Sequence, residues 1–225
     1  MCKARGIILH NAAGYAVHAV SELAVGLMLL SCGRSSLWTR SSALVVTIWL
    51  AMNYSARPLG VIGCDHIGLQ VDRLGNALGC QVLGFELGMP RIDNVTIEQV
   101  ELDELLRRSD IVSLHVTLTP ETRGFIGREQ LARMKRSAIL INTARGPVVD
   151  QSALVEALDR NRLAGAGFDV FDIESPLPSD HPILKAPNTV SVPHIGFETA
   201  EAMSAKADIA LYHLENFLSG RGLAS

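Results

Sequence analysis

A chain of 225 residues, 48% hydrophobic and 19% charged, has ample material for a packed core, which excludes a disordered chain. Its formal net charge of -3 leaves no basic footprint, so no nucleic-acid partner is expected. Cys2, Cys32, Cys64 and Cys80 fall at no metal or redox spacing and read as reduced thiols, the expectation for a cytoplasmic protein without a metal site.

Two apolar runs bear on membranes. Ala43 to Met52 is about half the ~20 residues a spanning helix needs. Val17 to Leu30 is interrupted by His18, Ser21 and Glu22, and the N-terminus lacks the order of a secretory signal. The chain reads as soluble, with no membrane partner.

Gly6 to Leu9 reads as a short strand and Asn11 to Gly14 as a loop. Val17, Val20, Leu23, Ala24, Leu27 and Met28 then recur at helical spacing, and Val25, Leu29 and Leu30 make this helix apolar nearly all round. Such a helix expects burial between domains or subunits, so a homodimer with this helix in the contact, or an aggregation-prone monomer, is expected. Ser35 to Pro58 is apolar and β-branched, and reads either as an extra core strand or as a local corruption of the coding sequence; no function is assigned to it.

Leu59 to Gly63 reads as a strand, and Gly63 to Gly68 (GCDHIG) opens the next helix, running to Leu78. The dinucleotide fingerprint uses three glycines: one for the tight turn, one for approach of the pyrophosphate and one for helix-strand packing. Gly63 and Gly68 hold the first and third places, and Asp65 the second. Gln81 to Phe85 reads as the second strand, and Glu86 follows 18 residues after Gly68, where an acid accepts hydrogen bonds from ribose hydroxyls. The lesser reading of Glu86 is a solvated strand-end acid. No arginine follows it until Arg91, which points to NAD rather than NADP. The Asp65 carboxylate faces an anion site and is expected to weaken cofactor binding, unless it turns outward or pairs with a protonated His66; it also reads as a cap of the following helix, a structural residue that costs the site its ligand.

Leu102 to Arg108 reads as a helix, Ile111 to Val116 as a buried strand, Thr119-Pro120-Glu121 as a helix start, and Glu129 to Met134 as a short helix. Ala138 to Ile141 is a buried-strand signal, Gly146-Pro147 a loop, and Asp150 the cap of the helix that follows. Arg145 therefore stands just past the C-terminal end of a buried strand, the edge where open α/β sheets bind ligands; alone, it reads equally as a surface arginine. Gly165 to Val170 and Thr189 to Val192 add strands, and Ala200 to Leu218 a helix with an apolar face of Met203, Ala207, Ala210, Leu214, Phe217 and Leu218, ended by Gly220. Strand and helix alternate, which predicts an α/β fold with a doubly wound parallel sheet of Rossmann type.

The segments NTARGPVVD (142–150), GAGFDVFDIESPLP (165–178) and VPHIGFETAEAM (192–203) resemble the D-isomer-specific 2-hydroxyacid dehydrogenases, which use a nicotinamide cofactor. The resemblance implies NAD as cofactor and a 2-hydroxy/2-keto acid pair as substrate. It places Arg145 as the cation for the substrate carboxylate and carbonyl, His194 as the proton donor and Glu174 as the acid beside His194. It also implies cofactor contacts from Asp169, Thr143, Ala144 and Val116, with His66 and Ile67 at the helix N-terminus facing the pyrophosphate. His115 reads as structural, and His10, His18, His181 and His213 show no partner in the sequence. Ser175, between Glu174 and Pro176, departs from the family's Glu-Pro. Residues 17–198 are expected to be the dinucleotide-binding domain, with 1–16 and 199–225 as remnants of a smaller substrate domain whose remainder would precede Gly6. The rival reading is a non-catalytic dinucleotide-binding or protein-interaction module on the same fold.

Overall fold

Short, mostly apolar runs, buried in the five central strands, build a seven-stranded parallel sheet: β1 (Pro58–Ile62), β2 (Gln81–Phe85), β3 (Glu98–Gln99), β4 (Ile111–Leu114), β5 (Ile139–Asn142), β6 (Gly165–Phe168) and β7 (Thr189–Ser191), with the polar two-residue β3 and the half-exposed β7 at its edges. The computed structural model describes residues 5, 8–31, 53–88, 97–173 and 177–219. The strand order is β3-β2-β1-β4-β5-β6-β7.

Side chains alternate between the two faces of each strand. Ile139 and Ile141 of β5 join one core, and Leu140 between them joins the other. The first core is closed by Ala24, Leu27 and Met28 of α1 (Val17–Ser31) and by Val71 of α2 (His66–Ala77). The second is closed by Leu105 and Leu106 of α3 (Leu102–Arg108), Leu131 of α4 (Arg128–Arg133), Leu154 and Leu158 of α5 (Gln151–Asp159) and Ile183 of α6 (Pro182–Lys185). Burying each large aliphatic side chain stabilises the fold by roughly 1.5–3 kcal/mol, so helices on both faces are what make the parallel sheet stable.

The chain runs outward from β1 to β2 and β3, then returns to place β4 beside β1 on the other side. That reversal opens a crevice beyond the C-terminal ends of β1 and β4, the usual ligand position in such sheets. The opposite edge carries structural charge: Asp110, entering β4, pairs with Arg57 at 3.2 Å and Lys135 at 2.8 Å.

The sequence reading and the structure differ in several places. Ile8 and Leu9 lie exposed in irregular backbone rather than in a strand, because they pair with neither sheet edge; Gly6 and Ile7 are outside the described residues. Thr119 to Glu121 starts a turn, not a helix. The Thr122 hydroxyl donates to the Thr117 carbonyl at 2.7 Å and accepts from the Thr119 N–H at 2.7 Å, and Gly124 at φ 65° ends the turn. The apolar helix α1 packs its buried side on α2 and on β5, β6 and β7. In α7 (Ala200–Leu218) only Ala202 is buried, and Met203, Leu214, Phe217 and Leu218 are exposed. The 35–52 part of the run ending at Pro58 lies outside the described residues, as does Gly220.

Candidate active site

The glycine loop shows why its residue types stand where they do. Gly63 has φ 92°, and a Cβ there would lie 2.7 Å from the His115 carbonyl carbon. A Cβ on Gly68 would lie 1.9 Å from the Gly63 carbonyl oxygen, so the third glycine lets α2 rest on the loop. Asp65 has extended backbone (φ -76°, ψ -166°) and caps α2, its carboxylate accepting from the N–H groups of Ile67 at 3.0 Å and Gly68 at 3.2 Å. Of the roles open to Asp65, the helix cap, which sets its carboxylate on the donors of the anion site, is the one it takes. Glu86 leaves β2 and accepts from the Cys64 N–H at 2.5 Å, bracing the loop from beside it. Burial pushes the Cys64 thiol up to about 12, aided by the nearby Glu86 carboxylate, so it is not a nucleophile.

On the other side of the crevice, Asn142 at the end of β5 shapes the arginine loop. Its amide donates to the Arg145 carbonyl at 3.1 Å and its oxygen accepts from the Ala144 N–H at 3.0 Å. The Arg145 side chain is exposed, with Nη1 on the Ala144 carbonyl at 2.6 Å. A 3-10 turn (Gly146–Val148) follows, and Gly146 lies so close to the Phe171 carbonyl that no side chain fits.

His194 stands in the left-handed region at φ 57°, rare for a residue with a Cβ and costing roughly 1–2 kcal/mol. Asp169, at the end of β6, holds the loop there: its carboxylate accepts from the N–H groups of Ile195 at 2.7 Å and Gly196 at 2.9 Å. Burial raises the Asp169 carboxyl above the ordinary value, opposed by those two N–H groups and by nearby His194. Asp169 therefore acts on the histidine loop itself, a clamp the sequence does not announce.

These loops enclose a cleft of about 510 Å³, within the range of small-molecule sites. Asp65, Ile67, Val116, Thr143, Ala144, Arg145, Asp169 and His194 all line it. Gly63, His66, Gly68 and Glu86 shape the loop beside it without lining it. Glu174 lies outside the described residues, as do Ser175 and Pro176. A second hollow of about 130 Å³ also has Arg145 and His194 in its wall, with Leu118, Pro147, Val170 and Phe171.

The cleft has lining residues that the sequence reading passed over. Tyr15 and Phe197 lie in its wall, and the Lys206 ammonium sits over both rings, at 5.4 and 5.7 Å. Phe197 packs edge-on against His194, with ring centres 5.5 Å apart. The glycine-tyrosine step before α1 and the phenylalanine two residues past His194-Ile195 were the available signals. His115, read as structural, bonds Ser113 Oγ at 2.8 Å, and burial pushes its imidazole down to about 4, so it is neutral near pH 7. His181 bonds Asp172 at 3.0 Å, and His10 stacks on His213 with centres 4.8 Å apart, contacts between distant segments that no local pattern reveals.

The walls fit a nicotinamide dinucleotide. The Thr143 hydroxyl is buried in the cleft wall and has no hydrogen-bond partner among the described residues, which suits it to a polar ligand group. Gly63, at φ 92° against the His115 backbone, gives the tight turn the fingerprint requires. One group opposes the fit, the Asp65 carboxylate on the helix N-terminus.

Comparison with known proteins agrees with this geometry. Residues 34–196 match the D-isomer specific 2-hydroxyacid dehydrogenase, NAD binding domain. The chain is 38% identical over 231 residues to the glycerate dehydrogenase of Methylorubrum extorquens, covering 97% of this chain and 71% of that protein. It is 38% identical over 226 residues to a glyoxylate reductase of Korarchaeum cryptofilum, covering 96% and 68%. The solved D-lactate dehydrogenase of Aquifex aeolicus, complexed with NAD and lactic acid, superposes with a TM-score of 0.82 at 30% identity, covering 98% of this chain and 72% of that one. With a glycine-loop cleft between β1 and β4 and a family match over most of its length, the chain belongs to the D-isomer-specific 2-hydroxyacid dehydrogenases and carries their NAD-binding domain.

Proposed function

We propose that the chain interconverts a small 2-keto acid and its D-2-hydroxy acid with NAD(H), and that Arg145, His194 and Glu174 carry the chemistry. The observation that supports this most directly is that Arg145 and His194, 49 positions apart in sequence, line the same cleft and also the hollow beside it. The planar Arg145 guanidinium binds the substrate carboxylate and polarises the adjacent carbonyl. His194 gives a proton to the carbonyl oxygen during reduction and takes it back during oxidation. Glu174 is assigned the neighbouring acid that favours the protonated imidazole. The bound nicotinamide supplies the hydride equivalent.

Val116, Thr143, Ala144 and Asp169 are assigned the nicotinamide end, and Gly63, Asp65, His66, Ile67, Gly68 and Glu86 the phosphate and ribose end. The names of the relatives, glycerate dehydrogenase and glyoxylate reductase, support a two- or three-carbon substrate here. Residues 17–198 are assigned as the dinucleotide domain, with 1–16 and 199–225 contributing to the substrate side. A homodimer is supported by the exposed Leu211, Leu214, Phe217 and Leu218 on α7. A cytoplasmic location is supported by the buried Cys64 thiol, which is in no disulfide. Among the described residues no helix is long and apolar enough to cross a membrane.

NADH oxidation against glyoxylate, hydroxypyruvate and pyruvate, measured beside NADH binding, tests the reading. Turnover with at least one acid is expected; binding without turnover favours the non-catalytic module.

A further inference from the structure

The start of α2 holds a carboxylate of the chain itself. Asp65 Oδ1 accepts from the Ile67 N–H at 3.0 Å and the Gly68 N–H at 3.2 Å, two of the donors that a helix start leaves without intrahelical partners. The helix is twelve residues long, and its aligned peptide dipoles favour an anion at this end. Asp65 and Ile67 lie in the wall of the same cleft as Thr143, whose hydroxyl is buried with no partner. The cleft therefore offers one polar group to a ligand, while the donors best suited to a phosphate are taken by the chain's own carboxylate.

We propose that Asp65 is an internal competitor for the dinucleotide phosphate, so that the cofactor enters by displacing this carboxylate from the Ile67 and Gly68 N–H groups. The proposal rests on the dinucleotide-binding reading. Asp65 has extended backbone that any residue adopts, so its presence strains nothing and its side chain is free to rotate away. Its cost appears only on binding: the helix loses its cap, and the displaced carboxylate remains beside the incoming phosphates. A glycine in this place would leave the donors open. Affinity for phosphate-bearing ligands, rather than the shape of the cleft, is what Asp65 sets.

Calorimetry at fixed salt with NADH and with adenosine tests this on the full chain, comparing parent, Asp65→Gly and Asp65→Asn. Asp65→Gly is expected to tighten NADH binding at least tenfold, equivalent to about 1.4 kcal/mol. Asp65→Asn is expected to gain less, since its amide oxygen still accepts from the two N–H groups without the charge. Adenosine, which has no phosphate, is expected to bind all three alike. Unchanged or weaker NADH binding by Asp65→Gly, in a parent that binds NADH, overturns the competition alone. An equal gain for NADH and adenosine overturns it too, because the change would then be in the cleft rather than at the phosphate. No NADH binding by any of the three removes the dinucleotide reading and the competition with it.

Discussion

Asp169 and Gly196 are joined by a hydrogen bond of 2.9 Å from the Gly196 N–H to Oδ2, and that bond decides where His194 stands. The same carboxylate takes the Ile195 N–H at 2.7 Å, so two consecutive amides are tied to the end of β6. His194, at φ 57°, would relax toward ordinary backbone without them. Asp169→Ala is expected to cost roughly 1–3 kcal/mol in urea unfolding, the penalty for buried donors left unpaired. It is also expected to lower kcat at least tenfold, while Asp169→Asn, which keeps one acceptor, falls between. Parent-like turnover in Asp169→Ala would remove the clamp from the mechanism.

His115 gives the fold an acid-sensitive element. Burial lowers its imidazole from 6.5 to about 4 in the folded chain. The unfolded chain therefore binds the proton first as pH falls, so the stability contributed by neutral His115 is full above pH 6.5 and is lost toward pH 4. Between pH 7 and pH 5 this loss is roughly 2 kcal/mol, at about 1.4 kcal/mol per unit. His115→Gln is expected to lose about 2 kcal/mol less than the parent over that interval in urea titrations. Parallel pH profiles for the two proteins would show that His115 does not titrate this way.

Two glycines should respond oppositely to alanine. A Cβ on Gly146 would lie 1.7 Å from the Phe171 carbonyl oxygen, which forces the arginine loop away from the end of β6. Gly146→Ala is expected to destabilise by more than ~3 kcal/mol or to abolish folding. Gly26, inside α1, has nothing within 4 Å of its Cβ position among the described residues, and Gly26→Ala is expected to stabilise by about 0.5–1 kcal/mol. Chemical denaturation of both variants checks the pair, and equal effects would contradict the packing described.

What the sequence made legible follows from what is local. The strand Gln81–Phe85 and the helices Leu102–Arg108 and Ala200–Leu218 lie where period and flanking residues place them. Asp150 caps α5 as its position predicts, accepting from the Ala153 N–H at 3.0 Å. Thr119-Pro120-Glu121 misleads because the hydroxyl of Thr122 diverts the backbone into a turn, a competition that helix-start signals do not weigh. In the cleft, Arg145 and His194 were legible through the spaced motifs that carry the resemblance. The Asp169 clamp and the Lys206 contacts with Tyr15 and Phe197 were not, since each joins segments far apart in the chain.

Cofactor choice tests the loop beside the cleft. Glu86 stands at the end of β2 with its carboxylate on the glycine loop. A 2′-phosphate at ~5 Å from this acid is disfavoured by roughly 3 kcal/mol at an effective dielectric of ~20. NADH is expected to bind at least tenfold more tightly than NADPH, and Glu86→Gln to narrow the gap. Tighter NADPH binding by the parent would remove Glu86 from ribose recognition.

The most direct measurement is the turnover number for NADH oxidation by glyoxylate or hydroxypyruvate, compared between parent and His194→Gln at saturating NADH. Proton transfer by a positioned side chain contributes about 10²–10⁴-fold. His194→Gln is therefore expected to lose at least a hundredfold in kcat while binding NADH within about twofold of the parent. Near-parent turnover in His194→Gln, or a parent that binds NADH and turns over none of the keto acids, would contradict the assignment of this cleft as the site of reduction.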